Sequence, residues 1–208
     1  MIVTEYINIG VGVMNKKTLA LTDDTFKTII QTMREGFTYT IGDTEKIFKP
    51  NNRVAAALVL EANLGIRIGD IIHLKLSDIV KDGNRYRLNI IEEKTGKTRT
   101  FTVPLEIYSY IQEYAYNGNL KPTAKLFDLT DRAVQKQLKI VCDYLQLEGI
   151  STHSFRKYFA TNLYVNNNYN IQLVREILQH SSTAITQKYI GIQQKDIEVA
   201  LENNIRLV

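Results

Sequence analysis

The segment RVAAALVLEANLG, residues 53–65, is apolar on nearly every face of the helix that it can form. Such a helix is stable only when other elements surround it, so it predicts a core helix rather than a surface one. Gly65 marks its end, because glycine readily adopts the left-handed backbone conformation that closes many helices. The rest of the chain must therefore supply the elements that cover residues 53–65.

Segments with helical spacing of apolar residues supply most of that cover. Thr22 can cap a first helix, and Asp23 and Asp24 suit its positive end. Residues 35–52 are predicted to form a loop. Further helices are predicted over residues 66–79, 105–115 (opening on Pro104), 131–146, 154–166 and 170–179, then after Ser181 or Ser182 in a helix carrying Tyr189, and weakly over the tail 194–206.

A different pattern occupies residues 85–105, RYRLNIIEEKTGKTRTFTVPL. Two β-prone runs flank Lys94-Thr95-Gly96-Lys97, which predicts an antiparallel hairpin with its turn at Gly96. The predicted fold class is therefore mainly α with a small antiparallel β-sheet (α+β). The length of 208 residues suits one domain.

Composition excludes several classes of protein. The single cysteine, Cys142, rules out an internal disulfide, and its apolar neighbours predict a buried residue. One cysteine and three scattered histidines lack the spacing of a zinc site, so no metal is predicted. No signal peptide and no apolar run of roughly 18 residues is present, so no membrane association is predicted and the expected location is cytoplasmic. A net charge of +4 permits nucleic-acid binding without establishing it.

Two basic residues stand where a purely structural sequence has no need of them. Arg67 lies between two isoleucines and directly follows the core helix. It could pair with Asp70, three residues on, or form an anion site in which Asp70 orients the guanidinium group. Lys94 lies at the hairpin turn, where it could be a solvated lysine or an acid that a mobile loop delivers to a site.

Histidines and a tyrosine complete the candidate set. His153 and Arg156 are three residues apart and share one helix face. On a neighbouring face, Phe155 and Phe159 predict an anchor that lets the helix present both polar groups elsewhere. His180 precedes Tyr189 by nine residues.

Together these side chains suit one reaction. Two arginines and a histidine can donate charge-assisted hydrogen bonds to phosphate oxygens. A lysine can protonate a leaving alkoxide, a second histidine can accept a phenol proton, and the tyrosine can act as nucleophile. The arginines would neutralise the charge, so this chemistry needs no metal ion.

The segments LGIRIGDIIHLKLSDI, KT in a hairpin, HSFR, and LQHSS followed by a tyrosine resemble, in this order, the tyrosine recombinase (phage integrase) family over about residues 21–192. The resemblance implies the catalytic-domain fold of that family. It implies that Arg67 and Arg156 bind the scissile phosphate, with Asp70 in support. Residues 1–20 would be a short N-terminal segment without a full DNA-binding domain, and residues 193–208 a tail helix.

The resemblance also assigns the remaining roles. Lys94, with Lys97 as second candidate, would protonate the 5′ oxygen. His153 would assist as base, His180 would donate to the phosphate, and Tyr189 would form a 3′-phosphotyrosyl link. Lys157 follows Arg156 where the family often has His or Arg. The residues predicted to contact DNA are Lys97, Arg99, Lys157 and Lys188.

The implied function is site-specific DNA recombination, in which a tetramer exchanges strands between two double-stranded sites without a nucleotide cofactor. Accessory DNA-bending or directionality factors are possible partners, and the tail helix would pack on a neighbouring protomer. The chain would be either a catalytic fragment or a compact single-domain enzyme. Alternatives are a type IB topoisomerase-like strand transferase, a catalytically silent DNA-binding regulator, and an unrelated helical DNA-binding protein.

Overall fold

The computed structural model describes residues 18–190, 198 and 201–206. None of the helices in this part of the chain is long and apolar enough to cross a membrane. The helices are α1 (Asp23–Glu35), α2 (Asn52–Leu64), α3 (Ile68–His73), α4 (Leu105–Asn117), α5 (Asp131–Tyr144), α6 (Thr152–Asn166), α7 (Ile171–Leu178) and α8 (Thr183–Gln187). The strands are β1 (Phe37–Ile41), β2 (Thr44–Phe48), β3 (Ile79–Asp82), β4 (Arg85–Ile91) and β5 (Thr98–Val103).

Helix α2 is the core helix that the sequence predicts. It contacts α1, α3, α5 and α6, and most of its side chains are buried. Gly65 ends it at φ +60°, and a Cβ added there would lie 2.2 Å from the ring of Phe159 on α6. The glycine is therefore needed twice, for the left-handed conformation and for the close approach of α6.

The other helices follow the prediction with shifted ends. The Thr22 hydroxyl accepts a hydrogen bond from the Thr25 N–H at 3.2 Å, so the predicted cap is confirmed. Pro104 is the residue before α4 rather than its first helical residue. The predicted helix over 66–79 is too long, because α3 ends at His73 and the Leu74 carbonyl instead accepts a hydrogen bond from the Leu126 N–H. A single 3₁₀ turn, Leu76–Asp78, follows.

The loop predicted over residues 35–52 is wrong, because this segment contains the antiparallel hairpin β1–β2. Phe37 pairs with Phe48 across the hairpin, and their rings stack at 4.8 Å. The Phe37 ring also stacks on Tyr144 of α5 at 3.9 Å. The alternation of Phe37 and Tyr39 along β1 was the available signal, and the turn residues around Gly42 obscured it.

The second sheet has the order β3-β4-β5 and contains the predicted hairpin. Ile91 pairs with Thr98, so residues 92–97 form the connection between β4 and β5. Leu88 and Val103 face the core. Strand β3 was not predicted. This sheet carries Lys94 to the side of the molecule where α3 begins.

In the tail, residues 198 and 201–203 are helical, but the predicted helix over 194–206 is too long at its end, because residue 204 forms a turn and residues 205–206 are not helical. The rest of residues 191–208, apart from 204–206, and the predicted N-terminal segment up to residue 17 lie outside the described residues.

Candidate active site

Arg67 is placed by the sharp end of α2. The chain leaves the left-handed Gly65 and is extended at Arg67, directly before α3. Arg67 Nη1 donates to Glu92 Oε2 at 2.7 Å, and its side chain is 24% exposed. Glu92, rather than Asp70, is therefore the ion-pair partner of Arg67. Asp70 Oδ1 instead accepts a hydrogen bond from the Glu93 N–H at 2.9 Å, which ties α3 to the hairpin connection.

Glu92 is a site residue that the sequence analysis missed. Its carboxylate is 1% exposed and accepts from Arg67, from Thr95 Oγ1 at 2.8 Å and from Arg99 Nη1 at 3.0 Å. Burial alone would raise its pKa, but these three hydrogen bonds outweigh it and lower the pKa to about 2. Another glutamate, Glu93, follows directly, and nothing in the sequence marks Glu92 as the buried member of the pair.

Arg99 corrects the prediction of DNA contacts. The strand alternation turns this side chain inward, where it is 1% exposed. Besides the Glu92 ion pair, Arg99 Nη2 donates to the Ile177 carbonyl at 2.6 Å and to the Gly65 carbonyl at 3.4 Å. Arg99 is therefore an internal connector and is not accessible to DNA.

The α6 helix presents His153 and Arg156 as the sequence predicts. Phe155 is fully buried and lies edge-on to Phe26, with ring centroids 6.1 Å apart, so the aromatic anchor is confirmed. Partial burial lowers the pKa of His153, and the charges of Arg156 and Lys94 lower it further. His153 is thus neutral near pH 7, as a general base must be.

Arg156 is fully buried between three segments of the site. Its Nη1 donates to the Gly65 carbonyl at 2.6 Å and its Nη2 to the Leu178 carbonyl at 3.1 Å. Its Cζ lies 5.9 Å from the centre of the Tyr189 ring. Burial lowers the pKa of Arg156 to about 10, so the group stays charged at neutral pH. Its Nε–H has no hydrogen-bond partner among the described residues.

His180 and Tyr189 come together across α8. The Ser182 hydroxyl accepts from the Ile185 N–H, so Ser182 rather than Ser181 is the cap. Helix α8 ends at Gln187, and Tyr189 lies in the turn after it rather than in the helix. The rings of His180 and Tyr189 are 4.7 Å apart, and His180 Nδ1 lies 3.0 Å from Thr186 Oγ1. Burial and the Arg156 charge lower the pKa of His180 to about 4.

The surface lysines have different surroundings. Lys94, Lys97 and Lys188 are exposed, the first in the turn between β4 and β5. Lys157 is half-buried, and its Nζ donates to the Thr18 carbonyl.

Cys142 is buried, as predicted, and burial raises the pKa of its thiol to about 12. Within the described residues, no three His, Cys, Asp or Glu side chains cluster as a metal site.

The fold thus brings the end of α2, the β4–β5 hairpin, α6 and the α7–α8 turn to one place. The three guanidinium groups there carry more positive charge than the Glu92 carboxylate, which contacts two of them, can neutralise. The Tyr189 ring lies beside two of the predicted catalytic groups, His180 and Arg156. Such a site favours an anion that can accept several hydrogen bonds next to a nucleophilic phenol.

Comparison with known proteins agrees with this geometry. The phage integrase family model matches residues 20–196. The chain belongs to the phage integrase family, and the relatives that it matches include tyrosine recombinases. It is 29% identical over 159 residues to the probable integrase/recombinase YoeC of Bacillus subtilis, covering 74% of this chain and 86% of YoeC.

A second relative is longer than this chain. The chain is 26% identical over 166 residues to the tyrosine recombinase XerA of Pyrococcus furiosus, covering 76% of the chain but 57% of XerA.

Two solved structures share the fold. The XerH recombinase bound to palindromic difH substrate superposes with a TM-score of 0.67 at 21% identity, covering 94% of this chain and 56% of that one. The catalytic domain of bacteriophage HP1 integrase gives 0.60 at 18% identity, covering 90% of this chain and 95% of that domain. The expected catalytic-domain fold is therefore confirmed.

Proposed function

We propose that this chain cuts and rejoins double-stranded DNA at specific sites through a 3′-phosphotyrosyl intermediate on Tyr189. One observation carries the proposal: the Tyr189 ring lies against His180, with the buried guanidinium group of Arg156 5.9 Å from the same ring. The names of the relatives, integrases and tyrosine recombinases, support the same chemistry.

The proposed step is an in-line displacement at phosphorus. Tyr189 Oη forms the new O–P bond while its proton passes to His153. The bond to the 5′ oxygen breaks, and Lys94 gives that oxygen a proton, which leaves a free 5′-hydroxyl. Attack by the 5′-hydroxyl of a partner strand reverses the step and completes strand exchange, so no nucleotide cofactor is consumed.

Arg67, whose side chain is 24% exposed, would stabilise the charge that gathers on the non-bridging oxygens. Arg156 is fully buried in the DNA-free protein, so its contact with the phosphate would require the neighbouring turn that carries Tyr189 to move and uncover the guanidinium group. Arg156 uses one hydrogen of each terminal nitrogen on the Gly65 and Leu178 carbonyls. A guanidinium group has five N–H donors, so three remain, among them the unpartnered Nε–H. Removing one such donor from a preorganised site typically costs roughly 10²–10³ in rate. His180 would supply a further hydrogen bond.

The proposal extends to the partners. The substrate is double-stranded DNA, and strand exchange requires a tetramer on two sites, with accessory DNA-bending or directionality factors acting on the assembly. Lys97, Lys157 and Lys188 would contribute phosphate contacts, which weaken as salt rises. A DNA substrate of this kind places the activity in the cytoplasm.

A covalent-trapping assay tests the proposal. Nicked duplexes built from the sequences flanking the protein's own gene release a short strand after cleavage, so religation fails and the adduct accumulates. We expect an SDS-resistant protein–DNA adduct with wild type and Tyr169→Phe, an exposed control tyrosine, but none with Tyr189→Phe. Intact DNA binding without any adduct would favour the silent-regulator alternative.

A second assay separates recombination from topoisomerase activity. Two labelled duplexes that carry the same site are incubated together, and the products are separated by length. Exchange of strands between the duplexes supports a recombinase. Nicking and religation within each duplex only would support the type IB topoisomerase-like alternative.

A further inference from the structure

The carboxylate of Glu92 joins the segments that carry two proposed catalytic residues. One oxygen, Oε2, accepts from Arg67 at 2.7 Å and from Thr95 at 2.8 Å. Thr95 directly follows Lys94, so the same oxygen contacts the phosphate-binding arginine and the lysine's neighbour. At 1% exposure, water does not compete for these bonds, and their geometry is correspondingly well defined.

The second oxygen extends this link to the far side of the site. Glu92 Oε1 accepts from Arg99, which in turn donates to the carbonyl of Ile177 near the end of α7. His180 follows three residues later. Arg99 also donates to the Gly65 carbonyl, the same oxygen that accepts from Arg156. Glu92 and Arg99 therefore form a buried bridge between the hairpin, the α2–α3 junction and the α7–α8 turn.

We propose that Glu92 is a positioning residue, whose carboxylate holds the hairpin that carries Lys94 in a fixed register with Arg67. The inference rests on the proposed function for its catalytic consequence, but the restraint itself is a property of the DNA-free protein. Lys94 is exposed and lies in a turn, so its side chain alone cannot fix its position. The bonds of Glu92, together with the hydrogen bond that the Glu93 N–H donates to Asp70 Oδ1, supply that restraint.

Two substitutions and a matched control isolate the bridge. Glu92→Asp keeps the charge but shortens the side chain by one methylene, so one carboxylate can no longer reach both arginines. Thr95→Val, at an exposed residue, removes the hydrogen bond that Thr95 donates to Glu92 and the one that it accepts from the Lys97 N–H, and leaves both ion pairs. It is therefore suitable if Glu92→Asp fails to fold. Glu93→Gln is the control, because that side chain is 71% exposed.

Hydrogen exchange of the full chain without DNA gives the first readout. The Glu92 N–H donates to the Lys97 carbonyl and the Gly96 N–H to the Glu92 carbonyl, so these amides report on the hairpin connection. We expect them to exchange at least about tenfold faster in Glu92→Asp than in wild type or Glu93→Gln, and to exchange faster in Thr95→Val, while α2 is unchanged. Hairpin exchange at the wild-type rate in both bridge variants would overturn the proposal.

Cleavage of two substrates gives the second readout. A sulfur atom in place of the leaving 5′ oxygen departs as a thiolate with its electron pair and needs no proton from a lysine. We expect Glu92→Asp to slow cleavage of ordinary DNA by about 10²-fold, the usual contribution of a general acid, with DNA affinity unchanged. On the sulfur substrate the loss should shrink at least tenfold.

An equal loss on both substrates would contradict a role in positioning Lys94, as would a rate equal to that of Glu93→Gln. If wild type itself forms no adduct, the proposed function fails, while the exchange measurement still decides whether Glu92 restrains the hairpin.

Discussion

At the scale of single residues, the site concentrates positive charge on side chains that water barely reaches. Arg99 and Arg156 are 1% and 0% exposed, and Arg67 contacts the same carboxylate as Arg99. Glu92 offsets part of this charge. Burial lowers the pKa of His153 and of His180, and the charge of Arg156 lowers both further, so the two histidines stay neutral near pH 7.

This electrostatic arrangement predicts a specific pH dependence of stability. The pKa of His180 is about 4 in the folded protein against 6.5 ordinarily, so the unfolded state binds more protons between these values. The free energy of unfolding therefore falls as pH decreases from 6.5 to 4. Because His180→Asn removes the group, we expect its melting temperature to fall less than that of wild type between pH 7 and 4.5.

His73→Asn is the control for this measurement. His73 is an exposed histidine on α3, and its Nδ1 lies 2.7 Å from the Gly69 carbonyl oxygen and 3.8 Å from Glu93 Oε2, so its described contacts include none of the buried arginines. The melting temperature of His73→Asn should fall as much as that of wild type when the pH is lowered from 7 to 4.5. Parallel curves for wild type and His180→Asn would contradict the depressed pKa.

The two hairpin lysines, Lys94 and Lys97, are expected to differ in their effect on the cleavage rate. Lys94 is close enough to the site for its charge to lower the pKa of His153, after burial and the charge of Arg156. We expect Lys94→Ala to slow cleavage by about 10²–10⁴, in line with loss of a general acid. Lys97→Ala should change the cleavage rate by less than about threefold and act mainly on DNA affinity, as measured on the same trapping substrate. The reverse order would move the acid role to Lys97.

At the scale of secondary-structure elements, the end of α2 organises the site. Gly65 lets α6 approach, its carbonyl accepts from Arg156 and Arg99, and the next turn of chain carries Arg67. The all-round apolar pattern predicted this helix and its end. It could not predict which groups would use the Gly65 carbonyl, because those donors lie on α6 and β5, far away in sequence.

Alanine substitutions at two glycines test the contact between the end of α2 and α6. Gly65→Ala should lower the free energy of unfolding by about 2–4 kcal/mol, since it combines left-handed strain with a Cβ 2.2 Å from Phe159. Gly83→Ala has nearly the same φ, +60°, but no atom within 4 Å, so it should cost only about 1 kcal/mol. Urea denaturation of both variants measures the difference. If both variants lose the same free energy of unfolding, the close approach of α6 does not add to the cost of a side chain at residue 65.

Errors at this scale have identifiable causes. The β1–β2 hairpin was missed because its signal is two aromatic residues on one strand, while its stability comes from Phe48 and from Tyr144 on α5. The prediction that Arg99 contacts DNA is wrong because its side chain lies on the buried face of β5. Which face of β5 turns inward depends on packing against α7, which the sequence of the strand does not encode.

At the scale of the whole molecule, the order of motifs predicted more than their individual chemistry. The predicted site residues Arg67, His153, Arg156, His180 and Tyr189 came from segments spread over more than half of the chain, and their shared order indicated the family that the comparisons establish. Glu92 belongs to none of those motifs. A buried partner of two arginines becomes visible only when the segments are packed together.

The C-terminal tail supplies a prediction about assembly. Leu201, in the helical part of the tail, and Ile205, beyond it, are 65% and 63% exposed in the single chain, which suits a tail that packs on a neighbouring protomer. We expect Leu201→Asp to weaken assembly of the multi-protomer complex on DNA, measured by sedimentation, and to leave single-site cleavage within about twofold of wild type. Leu105→Asp, at a leucine 61% exposed on α4, is the control. Equal loss of assembly and cleavage would contradict this role for the tail.

The central claim is that Tyr189 is the residue that bonds to DNA, and mass spectrometry of the trapped adduct tests it most directly. After nuclease digestion, trypsin cuts after Lys188 and releases residues 189–195, a peptide with a single tyrosine. We expect this peptide, and no other, to carry the mass of a residual 3′-nucleotide phosphate. Nucleotide mass on any other tyrosine-containing peptide would contradict the assignment of the nucleophile and of the site built around it.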